Sequence, residues 1–526
     1  MFNLALLIGI YSYLIFLLGL IGFLYKSVII LVSLVFIFII LFCSRKKLNM
    51  QDVKNKIVSF IKKSTKLELT LLTIMLTQGI INLIGALGPE LGFDALWYHL
   101  TLPKIYLDMH ELVHIPGSLL YYSTMPKLTE MLYISSLSLG TETIARLVHF
   151  SFGILCLVAI YKVSRKFLSK NFSLLALVLF YSNLVVGWMS ITAYVDLART
   201  FFEIMALWGF LEWWQKKELK WLIESAVMLG LAISTKLLAL GSLLIFSVLI
   251  IAYLLNKKTT FKNLFIELFV YWLIALLIPL PWFVFSFVHT GNPVYPFFSE
   301  IYPVNLNFQI INPFLHRSDS ISLIYILLLA VPFVFKKLDI KLKLISFYSI
   351  FALLIWFLTP KTDGGRFILP YLPAFSILVI GVIKEIRVIK IQHIIIGVMI
   401  FMSLFSLIYR FGANLKYIPV ILGRESKSQF LTNNLNFSYG DFYDTDGYFS
   451  KKIKSQDTVL LYGFHNLYYI NFPFVDSSYV KKGDMFNYIA VQGNNMPNRF
   501  KFWNLIYYNK TTNVKLYSIG GLKWMY

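Results

Sequence analysis

Residues 4–24 read LALLIGIYSYLIFLLGLIGFL, an apolar run without one charged side chain. A second run, VIILVSLVFIFIILF, follows at residues 28–42. A helix needs about 20 largely apolar residues to cross the hydrocarbon of a bilayer, and backbone groups in lipid must bond within their own segment. Both runs therefore predict membrane-spanning helices. Because the first run has neither a basic segment before it nor a cleavage site after it, we expect it to be retained as a span.

Similar runs recur along most of the chain. Of its 526 residues, 58% are hydrophobic and only 14% are charged, which is far from the composition of a soluble globular protein. Counting the runs predicts an all-α polytopic membrane protein with about thirteen transmembrane helices over residues 1–409.

The net charge of +22 is concentrated in loops between the apolar runs. Six short loops contain 25 Lys and Arg residues, whereas the four loops that alternate with them contain 6. Short cytoplasmic loops retain basic residues, so the first set is predicted inside, with the N-terminus, and the second outside. The charge therefore indicates membrane topology, and we expect membrane lipids and no nucleic acid as partners. The inner loops are 44–66, 162–171, 215–220, 256–263, 336–343 and 384–390; the outer loops are 88–142, 190–199, 289–320 and 359–366.

The alternation of inside and outside requires two short helices in residues 221–255, with a break near Ser234, Thr235 and Lys236. One long tilted span is the alternative for this segment. With two helices, the last span exits to the outer side, and residues 410–526 form an extracytoplasmic tail.

The tail differs in composition from the rest of the chain, because polar and aromatic residues are mixed in it and replace the long apolar runs. Strand-like runs occur at residues 458–462 and 488–492. Two further runs flank Gly520 and Gly521, which predicts a β-hairpin across that pair. We expect a small α/β domain.

Asp94 lies in the first of two long outer loops, 88–142 and 289–320, where FDALWYHL (residues 93–100) begins an amphipathic helical pattern too short to span. We expect this helix along the outer interface. Partial burial of Asp94 would raise its pKa and make it a candidate general base. The alternative is an N-cap, because the residue opens the helical run.

Asp196, Arg199 and Glu203 are spaced three, four and seven residues apart, which places them on one helix face that descends from the outer surface. Ionisable groups at that depth suggest a functional site. The alternative is a self-neutralising ladder in which Arg199 pairs with both acids.

Three cations on the outer side, Lys127, Lys236 and Arg366, could each bind a phosphate or extend toward lipid headgroups. Histidines such as His99 fit satisfied interfacial residues better than ligands. No His or Cys spacing predicts a metal site.

Three passages resemble the GT-C superfamily of membrane glycosyltransferases, in particular a bacterial branch related to protein O-mannosyltransferases and to lipid A aminoarabinose transferases. They are FDALWYHL at 93–100, GLAISTK at 230–236 and TGNPVYPF at 290–297. GRF at 365–367 and GRES at 423–426 resemble the family more weakly. The resemblance extends over most of residues 68–430.

The resemblance implies transfer of one sugar from a polyprenyl-phosphate donor to a lipid, glycan or protein acceptor outside the plasma membrane. Asp94 would be the base or orient the acceptor hydroxyl, and Asp196 would be the second acid. Lys236, Arg366 and Lys127 would bind the donor phosphate. Further candidate site residues are Tyr98, His99, Glu203 and Asn292. No cofactor is firmly implied, and a divalent cation stays open.

Two departures from the family pattern bear on these roles. The aminoarabinose branch has Lys before Pro where this chain has Pro126 and Lys127, and Ala95 follows Asp94 where an acid pair is usual. The competing interpretations are a cell-envelope polysaccharide polymerase or ligase and a lipid-linked sugar transporter.

Overall fold

The structure is a computed structural model of the chain. It describes residues 1–43, 64–256, 261–300, 312–315, 319–359, 364–493, 496–520 and 523–526. Most of the basic inner loop 44–66, and parts of the loops 256–263, 289–320 and 359–366, lie outside these residues.

The chain is mostly helical up to residue 434. The α-helices are α1 Phe2–Leu20, α2 Lys26–Cys43, α3 Lys66–Leu87, α4 Thr101–Met109, α5 Leu128–Leu139, α6 Glu142–Ser164, α7 Lys170–Tyr181, α8 Leu184–Met189, α9 Asp196–Lys216, α10 Leu219–Thr235, α11 Leu240–Asn256, α12 Phe261–Leu277, α13 Leu280–Thr290, α14 Asn312–Leu315, α15 Val331–Val334, α16 Ile340–Leu358, α17 Leu372–Lys384, α18 Ile389–Asn414, α19 Tyr417–Ile421, α20 Lys427–Asn434 and α21 Tyr448–Lys452.

Within the described part of the chain, six helices are long and apolar enough to cross a membrane. The number is seven if α12 and α13, which meet at 61°, form one bent span. The exposed sides of these helices are rows of Leu, Ile and Phe. Soluble proteins rarely expose apolar surface of this extent to water, so these sides face lipid. The protein is therefore a multi-pass membrane protein. The count of about thirteen spans and the orientation of the termini stay predictions.

The predicted break in residues 221–255 is confirmed. Helix α10 ends at Thr235, Lys236 is extended with φ −157° and ψ 122°, and a 3₁₀ turn at Leu237–Ala239 leads into α11. The segment is therefore two helices, and Lys236 lies at the junction between them.

The segment after α3 is helical, as predicted for residues 93–107. It consists of a π-helical turn at Ala95–His99 followed by α4. Leu96, Tyr98 and Tyr106 are buried, and this segment shares an apolar core with residues such as Leu461 of the C-terminal domain. Protein therefore covers its apolar face.

The C-terminal domain contains a mixed five-stranded sheet, in the order β2-β1-β4-β6-β5. Strands β1 and β2 and strands β1 and β4 are parallel, while β6 is antiparallel to β4 and β5. Helices α20 and α21 precede the sheet, which fits the predicted small α/β domain. The strands are β1 Val459–Tyr462, β2 Phe474–Asp476, β3 Met485–Phe486, β4 Tyr488–Gln492, β5 Asn504–Asn509, β6 Val514–Ser518 and β7 Trp524–Met525.

The predicted hairpin across Gly520 and Gly521 is wrong. Both edges of β6 are occupied, by β4 and β5, so β7 pairs with β3 instead. The true hairpin joins β5 to β6, and its turn places Asn513 at φ +52°, a left-handed conformation that Asn tolerates. Gly521 itself lies outside the described residues.

The expected domain boundary at residue 409 falls inside a helix, because α18 continues to Asn414. The buried Arg410 ties this helix to the membrane region by donating to the Gly187 carbonyl at 3.2 Å. The division into residues 1–409 and 410–526 stays a prediction.

Candidate functional site

A buried carboxylate, Glu90, joins the two loops that precede α4 and α9. It accepts the N–H groups of Gly92 at 2.7 Å and Ala193 at 2.6 Å. The buried Arg146 lies 3.6 Å from the same carboxylate and donates to the Ile191 carbonyl at 2.6 Å. These bonds satisfy backbone groups that lie away from water, and they bring the two loops side by side.

The two loops place both predicted acids against two of the predicted cations. Arg366 Nη1 lies 2.5 Å from Asp94 Oδ2, and its Nε lies 3.0 Å from Asp196 Oδ2. Lys236 Nζ lies 2.7 Å from Asp196 Oδ1. These four residues, here called the charged cluster, come from four distant segments and balance to zero formal charge. Buried charges of this kind are stable only when they are paired and hydrogen-bonded.

Asp94 does not act as an N-cap, because its side chain makes no capping bond. It accepts the Tyr98 hydroxyl at 3.1 Å, and its own N–H donates to the Tyr194 hydroxyl at 3.0 Å. Burial is the largest single effect on Asp94 and raises its pKa, but the charge and hydrogen bond of Arg366, together with the other positive charges nearby, hold the pKa of the carboxyl below its usual value. The expected upward pKa shift is therefore wrong in direction, and the pairing with Arg366 favours the ionised form of Asp94.

The predicted ladder of Asp196, Arg199 and Glu203 is only half present. Arg199 Nη2 lies 3.2 Å from Glu203 Oε1, and Ser242 donates to that same oxygen at 2.8 Å. Asp196 turns away toward Lys236 and Arg366, since it begins α9 where both cations reach it. Glu203 thus belongs to a separate pair inside the helix bundle.

Lys127 and Asn292 are outside the charged cluster. The buried amine of Lys127 donates to the carbonyls of Tyr122 and Met125. Burial lowers the pKa of Lys127 to about 7, because nearby Glu130 offsets only part of the desolvation. Asn292 stabilises its own turn by bonding the Phe297 carbonyl at 2.7 Å, and no contact among the described residues joins it to the cluster.

His99 and Tyr98 line a small pocket next to the charged cluster. Lys127 and Lys236 line it as well, so one wall of the pocket belongs to the cluster. The rings of Tyr98 and Tyr122 stack at 3.7 Å over this space.

A metal site is not apparent at the charged cluster. Over the described ranges, no three His, Cys, Asp or Glu side chains lie close enough to hold an ion. Arg366 and Lys236 contact the carboxylate oxygens that a divalent cation would use, so these donors do not fit such an ion.

The C-terminal domain contacts the Asp94 loop through residues 465–471, here called the docking loop. The His465 ring stacks on Phe93 at 4.6 Å, and the Tyr468 N–H donates to the Leu96 carbonyl at 3.2 Å. On its other side, Lys104 donates to the Asn471 side chain at 3.0 Å.

Tyr469 joins the docking loop to the Glu90 loop. Its hydroxyl is buried and donates to the Glu90 carbonyl at 2.9 Å, with Glu142 Oε1 at 3.3 Å. Sequence patterns had not indicated Glu90, Arg146 or Tyr469. The one available signal was an acid between Pro89 and Gly92, at the outer end of an apolar run.

Tyr469→Phe should loosen the Asp94 loop without unfolding the domain. Losing a hydrogen bond of about 1 kcal/mol corresponds to about fivefold faster amide exchange in residues 91–97. Hydrogen–deuterium exchange with mass spectrometry measures this rate. Tyr508→Phe, at a half-exposed position of β5, is the control. Unchanged exchange in the Tyr469 variant would show that the docking loop does not restrain the site.

Comparison with known proteins identifies the fold. The family model for dolichyl-phosphate-mannose-protein mannosyltransferase matches residues 132–285, a segment that includes Asp196 and Lys236. The structure is similar to that of ArnT from Cupriavidus metallidurans bound to undecaprenyl phosphate, with a TM-score of 0.54 and 12% identity. The match covers 85% of this chain and 97% of that one. The chain has the GT-C fold.

Other comparisons add the following. The apo form of ArnT from Cupriavidus metallidurans also matches with a TM-score of 0.54, at 13% identity and with the same coverage. The archaeal oligosaccharyltransferase AglB from Archaeoglobus fulgidus matches with a TM-score of 0.48 at 10% identity, over 80% of this chain and 69% of that one. No curated protein matches the sequence significantly. The family-model match and the fold shared with ArnT confirm the resemblance to the GT-C superfamily of membrane glycosyltransferases.

Proposed function

We propose that this GT-C protein transfers one sugar from a polyprenyl-phosphate donor to an acceptor at the outer face of the membrane. The observation that carries the proposal is the charged cluster, in which two carboxylates and two cations meet beside a pocket. Departure of the lipid phosphate from the sugar is favoured by fixed positive charge, and orientation of the acceptor hydroxyl requires a fixed hydrogen-bond acceptor. The cluster offers both within one site.

The four residues of the cluster have three roles. Lys236 and Arg366 stabilise the charge that grows on the departing phosphate. Asp196, which bonds both cations at 2.7 and 3.0 Å, holds them in place. Asp94 orients the acceptor hydroxyl, because its pairing with Arg366 makes it a weak proton acceptor but leaves its second oxygen, Oδ1, for a hydrogen bond.

The donor class is a polyprenyl-phosphate sugar. Undecaprenyl phosphate bound to the structurally similar ArnT supports this class. The acceptor is a lipid, a glycan or a protein. In this scheme residues 1–409 form the membrane domain with a cytoplasmic N-terminus, and residues 410–526 are extracytoplasmic and cover the site.

The experiment that tests the function uses the purified full chain in lipid nanodiscs. It is incubated with a panel of polyprenyl-phosphate sugars and with envelope extracts as acceptors, and products are read by mass spectrometry. Cells with and without the protein are compared in parallel for loss of one monosaccharide from surface glycans and lipids. Absence of transfer in vitro together with unchanged glycans in cells would reject the proposal.

Lys236→Met should weaken donor binding about ten- to a hundredfold, since a charge-assisted contact contributes about 1.5–3 kcal/mol. Asp196 keeps Arg366 as a partner in this variant, so the fold should persist. Isothermal titration with a short-chain polyprenyl phosphate measures the Kd. Lys454→Met, at an exposed lysine of the C-terminal domain, is the matched control. Equal affinity in both variants would exclude a phosphate role for Lys236.

A further inference from the structure

Two residues that line the pocket beside the charged cluster, His99 and Glu130, each have a buried side-chain atom without a hydrogen-bond partner among the described residues: Nε2 of His99 and Oε2 of Glu130. His99 is 2% exposed, and its Nδ1 lies 2.8 Å from Glu130 Oε1. Its other ring nitrogen, Nε2, is buried and has no hydrogen-bond partner in the part of the chain that the structure describes. Buried polar atoms are rarely left without a hydrogen-bond partner, so we expect this nitrogen to bond a ligand.

Three other polar residues that line the pocket are already engaged. Lys236 bonds Asp196, and the Thr235 hydroxyl donates to the Leu231 carbonyl at 2.9 Å. The amine of Lys127 donates to two backbone carbonyls. His99 Nε2 and Glu130 Oε2 therefore remain as the buried atoms of these lining residues that could bond a ligand.

The Glu130 carboxylate decides which ring nitrogen of His99 holds the proton. In the neutral imidazole, a proton on Nδ1 donates to this carboxylate, and Nε2 then presents its lone pair. An imidazole that is oriented by a carboxylate on one side and free on the other is suited to accept a proton from a hydroxyl. Asp94 is less suited, since Arg366 holds it ionised at 2.5 Å.

We propose that His99 Nε2 accepts the proton of the acceptor hydroxyl during sugar transfer, and that Glu130 is a positioning residue. The inference rests on the proposed function and deepens it. The acceptor O–H bond breaks and its proton passes to Nε2, while the oxygen forms a new bond to the anomeric carbon of the sugar. The bond from that carbon to the phosphate oxygen breaks, and its electron pair leaves with the polyprenyl phosphate. His99 then releases the proton to solvent.

Several elements bring charged or titratable groups toward His99. They include the carboxylates of Glu130 and Asp94 and the cations of the pocket. The groups that face or adjoin His99 are Asp94 and Tyr98 on its own segment, Lys127 and Glu130 at the start of α5, His149 on α6, Tyr194 before α9, and Lys236 after α10.

The first test is the pH profile of kcat in His99→Gln. In the wild type, the rate should fall toward acid pH, because a protonated imidazole accepts no proton. His99→Gln should lower kcat about a hundredfold or more, while the donor Kd stays within about twofold of the wild-type value. The fall in rate toward acid pH, here called the acid limb, should be absent from this variant. Wild-type kcat with an unchanged acid limb would overturn the proposal.

Glu130→Gln separates positioning from folding. Removing the negative charge makes protonation of His99 harder, so the acid limb should move to lower pH while kcat falls about tenfold. A purely structural Glu130 would change stability and leave the limb where it is, which would overturn the positioning role. This variant also serves as the test if His99→Gln fails to fold.

The matched controls are His393→Gln and Glu111→Gln, both at exposed positions. They should keep the wild-type rate and profile. A wild-type protein that transfers no sugar from any donor of the panel would reject the proposed function. If the wild-type protein transfers sugar and its acid limb persists in His99→Gln, only the inference is rejected.

Discussion

Asp94→Asn is expected to lower the rate of sugar transfer about a hundredfold or more while leaving donor binding intact or tighter. The substitution keeps the shape of the side chain and its bond from Tyr98 at 3.1 Å, but removes the charge that faces Arg366. The charged cluster then has a net charge of +1, which favours an anionic donor. The acceptor hydroxyl loses its fixed partner, so the loss should appear in kcat. Single-turnover rates and donor Kd separate the two effects.

Two further variants sharpen this test. Asp94→Ala should be at least as slow as Asp94→Asn, since it also leaves the Tyr98 hydroxyl without its acceptor. Asp108→Asn, an exposed carboxylate at the end of α4, should keep the wild-type rate. Wild-type turnover in both Asp94 variants would remove Asp94 from the mechanism.

Arg366→Gln is expected to damage both the fold and the reaction. Arg366 pairs with Asp94 at 2.5 Å and with Asp196 at 3.0 Å, so its loss leaves the buried Asp196 and the partly buried Asp94 with Lys236 as the remaining cation. Breaking a buried pair of this kind costs about 3–5 kcal/mol. The cluster becomes net negative, and donor affinity should fall at least tenfold. Thermal unfolding with and without polyprenyl phosphate measures both consequences.

A double variant shows whether the unbalanced charge causes the loss of stability in Arg366→Gln. Arg366→Gln combined with Asp94→Asn restores neutrality and should recover part of the stability, although transfer stays lost. Arg424→Gln, at an exposed arginine beyond the last long helix, should unfold like the wild type. Equal stability of Arg366→Gln and Arg424→Gln would contradict the buried-pair description of the cluster.

The break at Lys236 illustrates what charge distribution can predict. Alternation of basic and neutral loops required two helices there, and the structure has them. Asp94, Asp196 and Arg366 were candidates because acids and cations are costly near apolar spans and because their motifs resemble a known superfamily. Their identity could be predicted, but their pairing could not.

The errors have a common cause. The hairpin at Gly520 was inferred from neighbouring runs, yet strand pairing depends on which edges other strands have already taken. The alternative of an N-cap at Asp94 followed from its local position, yet Arg366, 272 residues away, contacts that carboxylate. Contacts between residues so far apart in the sequence cannot be predicted from the spacing of neighbouring residues.

The sequence by itself determined that this is a membrane protein of many helices with a break at Lys236, because hydropathy and charge act locally along the chain. Only the tertiary structure decided that Arg366 joins Asp94 to Asp196, that Glu90 links their loops, and that the C-terminal domain covers them through Tyr469. Those contacts form between segments that meet only after the helices have packed, where burial makes each unpaired charge too costly to leave alone.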